Sequence, residues 1–125
     1  MEKLQFFKGN NTFFWQGITT LEELKEVLNK KSDQPILLFK HSTRCGISLT
    51  ALKAFEREWS QEKVQSECYY IDLLKYRGLS DQIALFSGVK HESPQLILFH
   101  KGQVVYNASH SSIEVKEIKE KLDIK

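Results

Sequence analysis

The chain predicts an α/β fold, a central mixed sheet of about four core strands flanked by helices, on three observations. Two unbroken apolar runs, Ile36-Leu37-Leu38-Phe39 and Leu96-Ile97-Leu98-Phe99, lack polar alternation and so suit strands covered on both faces. Strand-like and helix-like segments alternate through the middle of the chain in a βαβα order. The second apolar run is led by Pro94 and turns back through Lys101-Gly102 as an antiparallel hairpin. The 125 residues are the size of one domain, spanning 1–125. Such a chain buries roughly two-thirds of its unfolded surface, so its cysteines are not needed to hold it together.

The elements follow in order. Residues 1–18 are rich in aromatics (Phe6, Phe7, Phe13, Phe14, Trp15) broken by Gly9-Asn10-Asn11, which predicts two short extended pieces or a packed arm. Thr20 with Glu23 has capping-box spacing, and Leu21, Leu24, Val27 and Leu28 then recur at helical intervals. Residues 36–40 form the first core strand after Pro35. Helical spacing resumes at Ile47, Ala51, Phe55 and Trp59, giving a helix over about 45–60 with Cys45 at its strand-to-helix junction. Residues 68–72 read as the next strand, and residues 79–86 as a short helix entered through Ser80 and ended near Gly88. After the hairpin of 95–100 and 103–108, Ser111 with Glu114 repeats the capping-box spacing before a last helix with Ile113, Val115, Ile118 and Leu122 on one face.

Composition narrows the function. Eighteen basic residues against 16 acidic ones, interspersed, give a net charge of +2 and no basic footprint for nucleic acid. The apolar runs have four residues, far short of the ~20 that cross a bilayer, and the first eight residues carry charge too early for a secretory signal. A cytoplasmic protein with reduced thiols is the expectation. His41, His91, His100 and His110 are scattered, none at ligand spacing with a cysteine, so no metal site is expected.

Cys45 carries the chemistry. A cysteine at a helix N-terminus has its thiolate stabilised by unpaired backbone N–H groups and the positive end of the helix dipole. Arg44 adds a permanent positive charge, and His41 could add another or take the thiol proton; the alternative is a small residue at a tight turn with both neighbours solvated. Cys45-Gly46-Ile47-Ser48 has the spacing of a C-x-x-C redox motif with a hydroxyl in place of the second thiol. Its position after a buried strand, with Ser93-Pro94 some fifty residues later, makes the signal specific. Cys68 begins its strand while Cys45 follows the end of the neighbouring one, about 15 Å away, too far for a disulfide that needs Cα atoms within ~7 Å. Cys68 is expected to be structural or incidental.

This order of elements resembles the thioredoxin fold, in which the proline at the position of Pro94 is cis and faces the reactive cysteine. More narrowly, residues 39–48 (Phe-Lys-His-Ser-Thr-Arg-Cys-Gly-Ile-Ser), then Ala51 and Phe55, with residues 91–95 (His-Glu-Ser-Pro-Gln), closely resemble the monothiol bacilliredoxins of the YtxJ type over nearly the whole chain. The usual family motif, Thr-Cys-Pro-Ile-Ser, has Arg44 for its threonine and Gly46 for its proline here. The buried acid that thioredoxins carry six residues before the first cysteine is Phe39, so no buried proton acceptor is evident, which favours simple thiol exchange. The resemblance implies a thiol-disulfide oxidoreductase that removes bacillithiol from S-bacillithiolated client proteins. Cys45 would be its nucleophile and Ser48 its catalytic companion, while Arg44, Gly46, Ile47, His41, Ser93 and Pro94 would contact the thiol ligand. Arg44, Lys40 or His41 would attract the malate carboxylates of bacillithiol. It further implies bacillithiol as co-substrate with no bound cofactor, and a monomer is expected. A glutathione-using or iron–sulfur-carrying monothiol glutaredoxin, and a binding module with an inert Cys45, stand as alternatives.

Overall fold

The computed structural model describes residues 2–8, 11–30, 34–41, 46–62 and 66–122. They form β1 (Glu2–Lys8), β2 (Asn11–Gly17), α1 (Leu21–Leu28), β3 (Ile36–His41), α2 (Gly46–Glu62), β4 (Glu67–Asp72), α3 (Arg77–Ser87), β5 (Gln95–His100), β6 (Gln103–Ser109), a 3-10 turn (His110–Ser112) and α4 (Val115–Lys121). The strands make one sheet in the order β1-β2-β4-β3-β5-β6. β3 runs parallel to β4 and antiparallel to β5, and β5 is antiparallel to β6. The four expected core strands are therefore extended to six. The aromatic N-terminal segment is an antiparallel β1–β2 pair, and β2 joins the sheet alongside β4 through Gln16–Tyr69 and Gly17–Tyr70.

Each face of the sheet carries its own core. All six residues of β3 are buried, and because strand side chains alternate, Leu37 and Phe39 face α2 and α4 while Ile36 and Leu38 face α1 and α3. The first face holds Trp15, Leu52, Phe55, Trp59, Leu96 and Ile118; the second holds Leu24, Val27, Ile71, Ile83 and Ile97. No described helix is long and apolar enough to cross a membrane.

Helix ends depart from the expected pattern where tertiary partners intervene. At α1 half of the capping box forms, the Glu23 N–H donating to Thr20 Oγ1 (3.1 Å), while Glu23 Oε1 reaches past the cap residue to accept from the Thr19 N–H (3.0 Å) and hydroxyl (2.8 Å). The Thr19 hydroxyl bond, above all, holds the Glu23 carboxyl down at about 2. Ser80 does not open α3 but lies buried inside it, bonded to His91. Gly88 ends that helix at φ 72, a left-handed conformation that costs glycine nothing. The spacing of Ser111 and Glu114 does not open α4 as a capping box. Ser111 falls in the 3-10 turn, Glu114 is the N-cap of α4 without a side-chain cap bond, and the Glu114 N–H points to Tyr106 Oη (3.5 Å), which donates to the Ser112 carbonyl (3.3 Å). The hairpin turn places Lys101 and Gly102 at φ 54 and 80, the left-handed pair of a tight two-residue connection. Beyond it, Leu98 pairs with Tyr106 but Phe99 with Val104, so Val105 is an extra residue in β6, a β-bulge.

Candidate active site

Two register pairs mark the end of the sheet where β3 stops: Lys40 opposite Gln95 and His41 opposite Asp72. Pro94 directly precedes Gln95, and Cys45 follows His41 by four residues. The segment bearing Cys45 and the Ser93–Pro94 peptide thus leave the sheet at the same end, and that peptide bond is cis, as the resemblance implies. Arg44 and Cys45 themselves lie outside the described residues. Gly46, Ile47 and Ser48 make the first turn of the 17-residue α2, where the Thr50 hydroxyl donates to the Gly46 carbonyl (2.9 Å). No acidic residue stands in that first turn, so nothing there offsets the helix dipole that favours a thiolate. A Cβ built on Gly46 would meet no atom within 4 Å.

The end of β3 carries inward-facing polar groups. His41 is 3% exposed, its ring centroid 5.5 Å from that of Tyr70 and 6.3 Å from that of Phe39. Burial pushes its pKa below the ordinary value, against the opposing pull of Asp72. Lys40, suggested above as an attractor of ligand carboxylates, is instead fully buried on the opposite face, where its ammonium donates to Gln95 Oε1 (2.7 Å). Desolvation lowers its pKa to about 8, opposed by the carboxylates of Asp81 and Glu92. Its position in β3, one residue from His41, turns it away: adjacent strand residues point to opposite faces. Phe39 is closed in by Trp15 and Phe55 at centroid distances of 5.8 and 6.3 Å. One buried carboxylate does exist, Glu56 on α2, eleven residues after Cys45 in the sequence.

Two grooves open at this end of the sheet. One of about 450 Å³ is lined by Leu73, Leu74, Arg77, Ser80, Asp81, His91 and Ser93; the other, about 200 Å³, includes Ile18, Tyr70, Asp72 and Tyr76. Cys68 belongs to neither. It pairs with Leu37, four residues and about 13 Å of strand before His41, and burial pushes its thiol up to about 12. Such a thiol is inert at neutral pH. Gln95 closes the 91–95 motif, but no role followed from that; its side chain joins Lys40 to the carbonyl of Lys90 (3.0 Å), and the sequence reading missed His110, whose ring lies 3.0 Å from the Ser93 carbonyl. His110 stands at no motif spacing.

The mixed sheet with helices on both faces and the cis Ser93–Pro94 bond at the end of β3 define a thioredoxin fold, and a cysteine directly preceding α2 in the sequence gives it the class of a thiol oxidoreductase. A solved structure named for its thioredoxin fold is 29% identical, covering 86% of this chain and 92% of its own, with a TM-score of 0.74. Thioredoxins from Fasciola hepatica (14% identity, TM-score 0.67, 88% and 99% coverage) and Malassezia sympodialis (20%, 0.60, 87% and 88%) share the fold. Residues 16–118 match the family model of the monothiol bacilliredoxin BrxC, and the chain belongs to that family.

Proposed function

We propose that the protein removes bacillithiol from S-bacillithiolated proteins by a monothiol mechanism. The observation that carries this reading is that Cys45 immediately precedes α2, at the β3 end of the sheet that Ser93–Pro94 also borders, in a chain of the BrxC family. The Cys45 thiolate attacks the bacillithiol sulfur of a client mixed disulfide; that S–S bond breaks, the client leaves as a thiolate, and a Cys45–bacillithiol disulfide forms. A second bacillithiol thiolate then attacks the bacillithiol sulfur of that adduct, releasing bacillithiol disulfide and free Cys45, so one free bacillithiol is oxidised for each client reduced. With Ser48 at the second position and Cys68 distant and undissociated, no internal thiol competes with that step. Bacillithiol is a co-substrate here, and no resident cofactor is required. Ser48 supports the thiolate, and Arg44, Gly46, Ile47, Ser93 and Pro94 line the ligand, with His41 beneath them. The protein acts as a monomer in the cytoplasm.

Intact-mass spectrometry tests this. Reduced wild type and Cys45→Ala are each mixed with a bacillithiol-modified and, separately, a glutathione-modified client. The expected result is one bacillithiol moved to the wild type, none to the variant, and slower transfer of glutathione. An adduct that stays on the client, or that moves without Cys45, refutes the proposal.

A further inference from the structure

The loop entering β5 is held from two sides. From within the sheet, Lys40 Nζ donates to Gln95 Oε1 (2.7 Å) and Gln95 Nε2 donates to the Lys90 carbonyl (3.0 Å). From the end of β6, the Ser109 hydroxyl donates to the Glu92 carboxylate, the His110 backbone N–H donates to the Pro94 carbonyl (3.0 Å), and His110 Nε2 lies 3.0 Å from the Ser93 carbonyl oxygen. A carbonyl only accepts, so Nε2 carries the proton and donates. One residue thus grips two successive carbonyls, one with its backbone and one with its ring. It does so at φ 55, a conformation disfavoured for any residue with a Cβ and sustained only where surrounding contacts hold it.

This grip adds little to folding. His110 is exposed, and a bond to an exposed carbonyl is exchanged for one to water at small net cost. Its effect is on orientation: with the ring bonded to Ser93, the peptide plane before Pro94 is fixed, and without it that plane is held only through its neighbours. We infer that His110 is a positioning residue for thiol exchange, setting the Ser93 peptide against the incoming mixed disulfide. The inference rests on the functional reading above, in which Ser93 borders the ligand.

Two variants separate this from a structural role. His110→Gly removes the ring but keeps the backbone N–H and relaxes the left-handed conformation; His110→Gln restores an amide donor near the Nε2 position. Three quantities are read: kcat/KM for transfer from a bacillithiol-modified client, the rate of Cys45 alkylation by iodoacetamide, and the melting temperature. The expected result for His110→Gly is transfer slowed about three- to ten-fold, the worth of one hydrogen bond, with alkylation and melting nearly unchanged. His110→Gln should recover part of the loss. Unimpaired transfer by His110→Gly, an equal fall in alkylation, or a glutamine variant no better than glycine overturns the inference alone. A wild type that transfers nothing overturns the functional reading and the inference with it.

Discussion

A lysine ammonium taken out of water loses its hydration, and Lys40 recovers only part of it through Gln95. The consequence is a pH dependence of known sign. In the folded protein Lys40 titrates at about 8, whereas the unfolded lysine titrates at 10.5. Below pH 8 both states hold the proton and the cost of burial is fully present. Between the two values the unfolded chain binds the proton that the folded chain has released, so raising the pH favours folding. Urea unfolding of wild type and Lys40→Met from about pH 7 to 10 should therefore show the difference moving in favour of wild type, by at most about 3 kcal/mol. A difference that stays flat across that range means Lys40 is not held in the low-dielectric interior. His41, one residue on, faces the other core, so the two neighbours respond to unrelated surroundings.

At the scale of elements, local signals succeeded where no distant group competed. Thr20 and Glu23 are legible as a helix start because the bonds that form it, from Glu23 to Thr19 and Thr20, span at most four residues. Thr20→Ala should lower stability by about 1 kcal/mol in urea unfolding at neutral pH; an unchanged midpoint would mean Thr19 alone supports the end of α1. The same spacing at Ser111 and Glu114 misled, because Tyr106 on β6 takes the Glu114 N–H and turns the intervening residues into a 3-10 turn. The apolar runs of β3 and β5 were readable as doubly covered strands from composition alone, and β1–β2 less so, since their pairing with β4 depends on a parallel contact far along the chain. In the candidate site, Cys45, Ser48 and Pro94 announce themselves by spacing. Lys40–Gln95 and His110–Ser93 exist only once strands are set side by side.

For the molecule as a whole, the sheet is a partition with a core on each side, and Ile97 is fully buried in the one under α1 and α3. Ile97→Ala should cost about 2–5 kcal/mol, read as a fall in the denaturant midpoint; a loss under about 1 kcal/mol would mean that this layer collapses around the cavity. Cys68 lies opposite Leu37 near the start of β3, while Cys45 follows the end of that strand in the sequence. The hairpin at the sheet's edge has the furthest reach. Because Val105 is supernumerary, every residue after it in β6 is one step out of phase with a simple two-residue hairpin, and Gln95 meets Ser109 rather than Ala108. That offset brings residue 110, and not residue 109, alongside Pro94. The length of an outlying ribbon thereby dictates which side chain meets the Ser93–Pro94 peptide, and an insertion or deletion between residues 99 and 109 would exchange histidine for a neighbour without touching any residue of the motif.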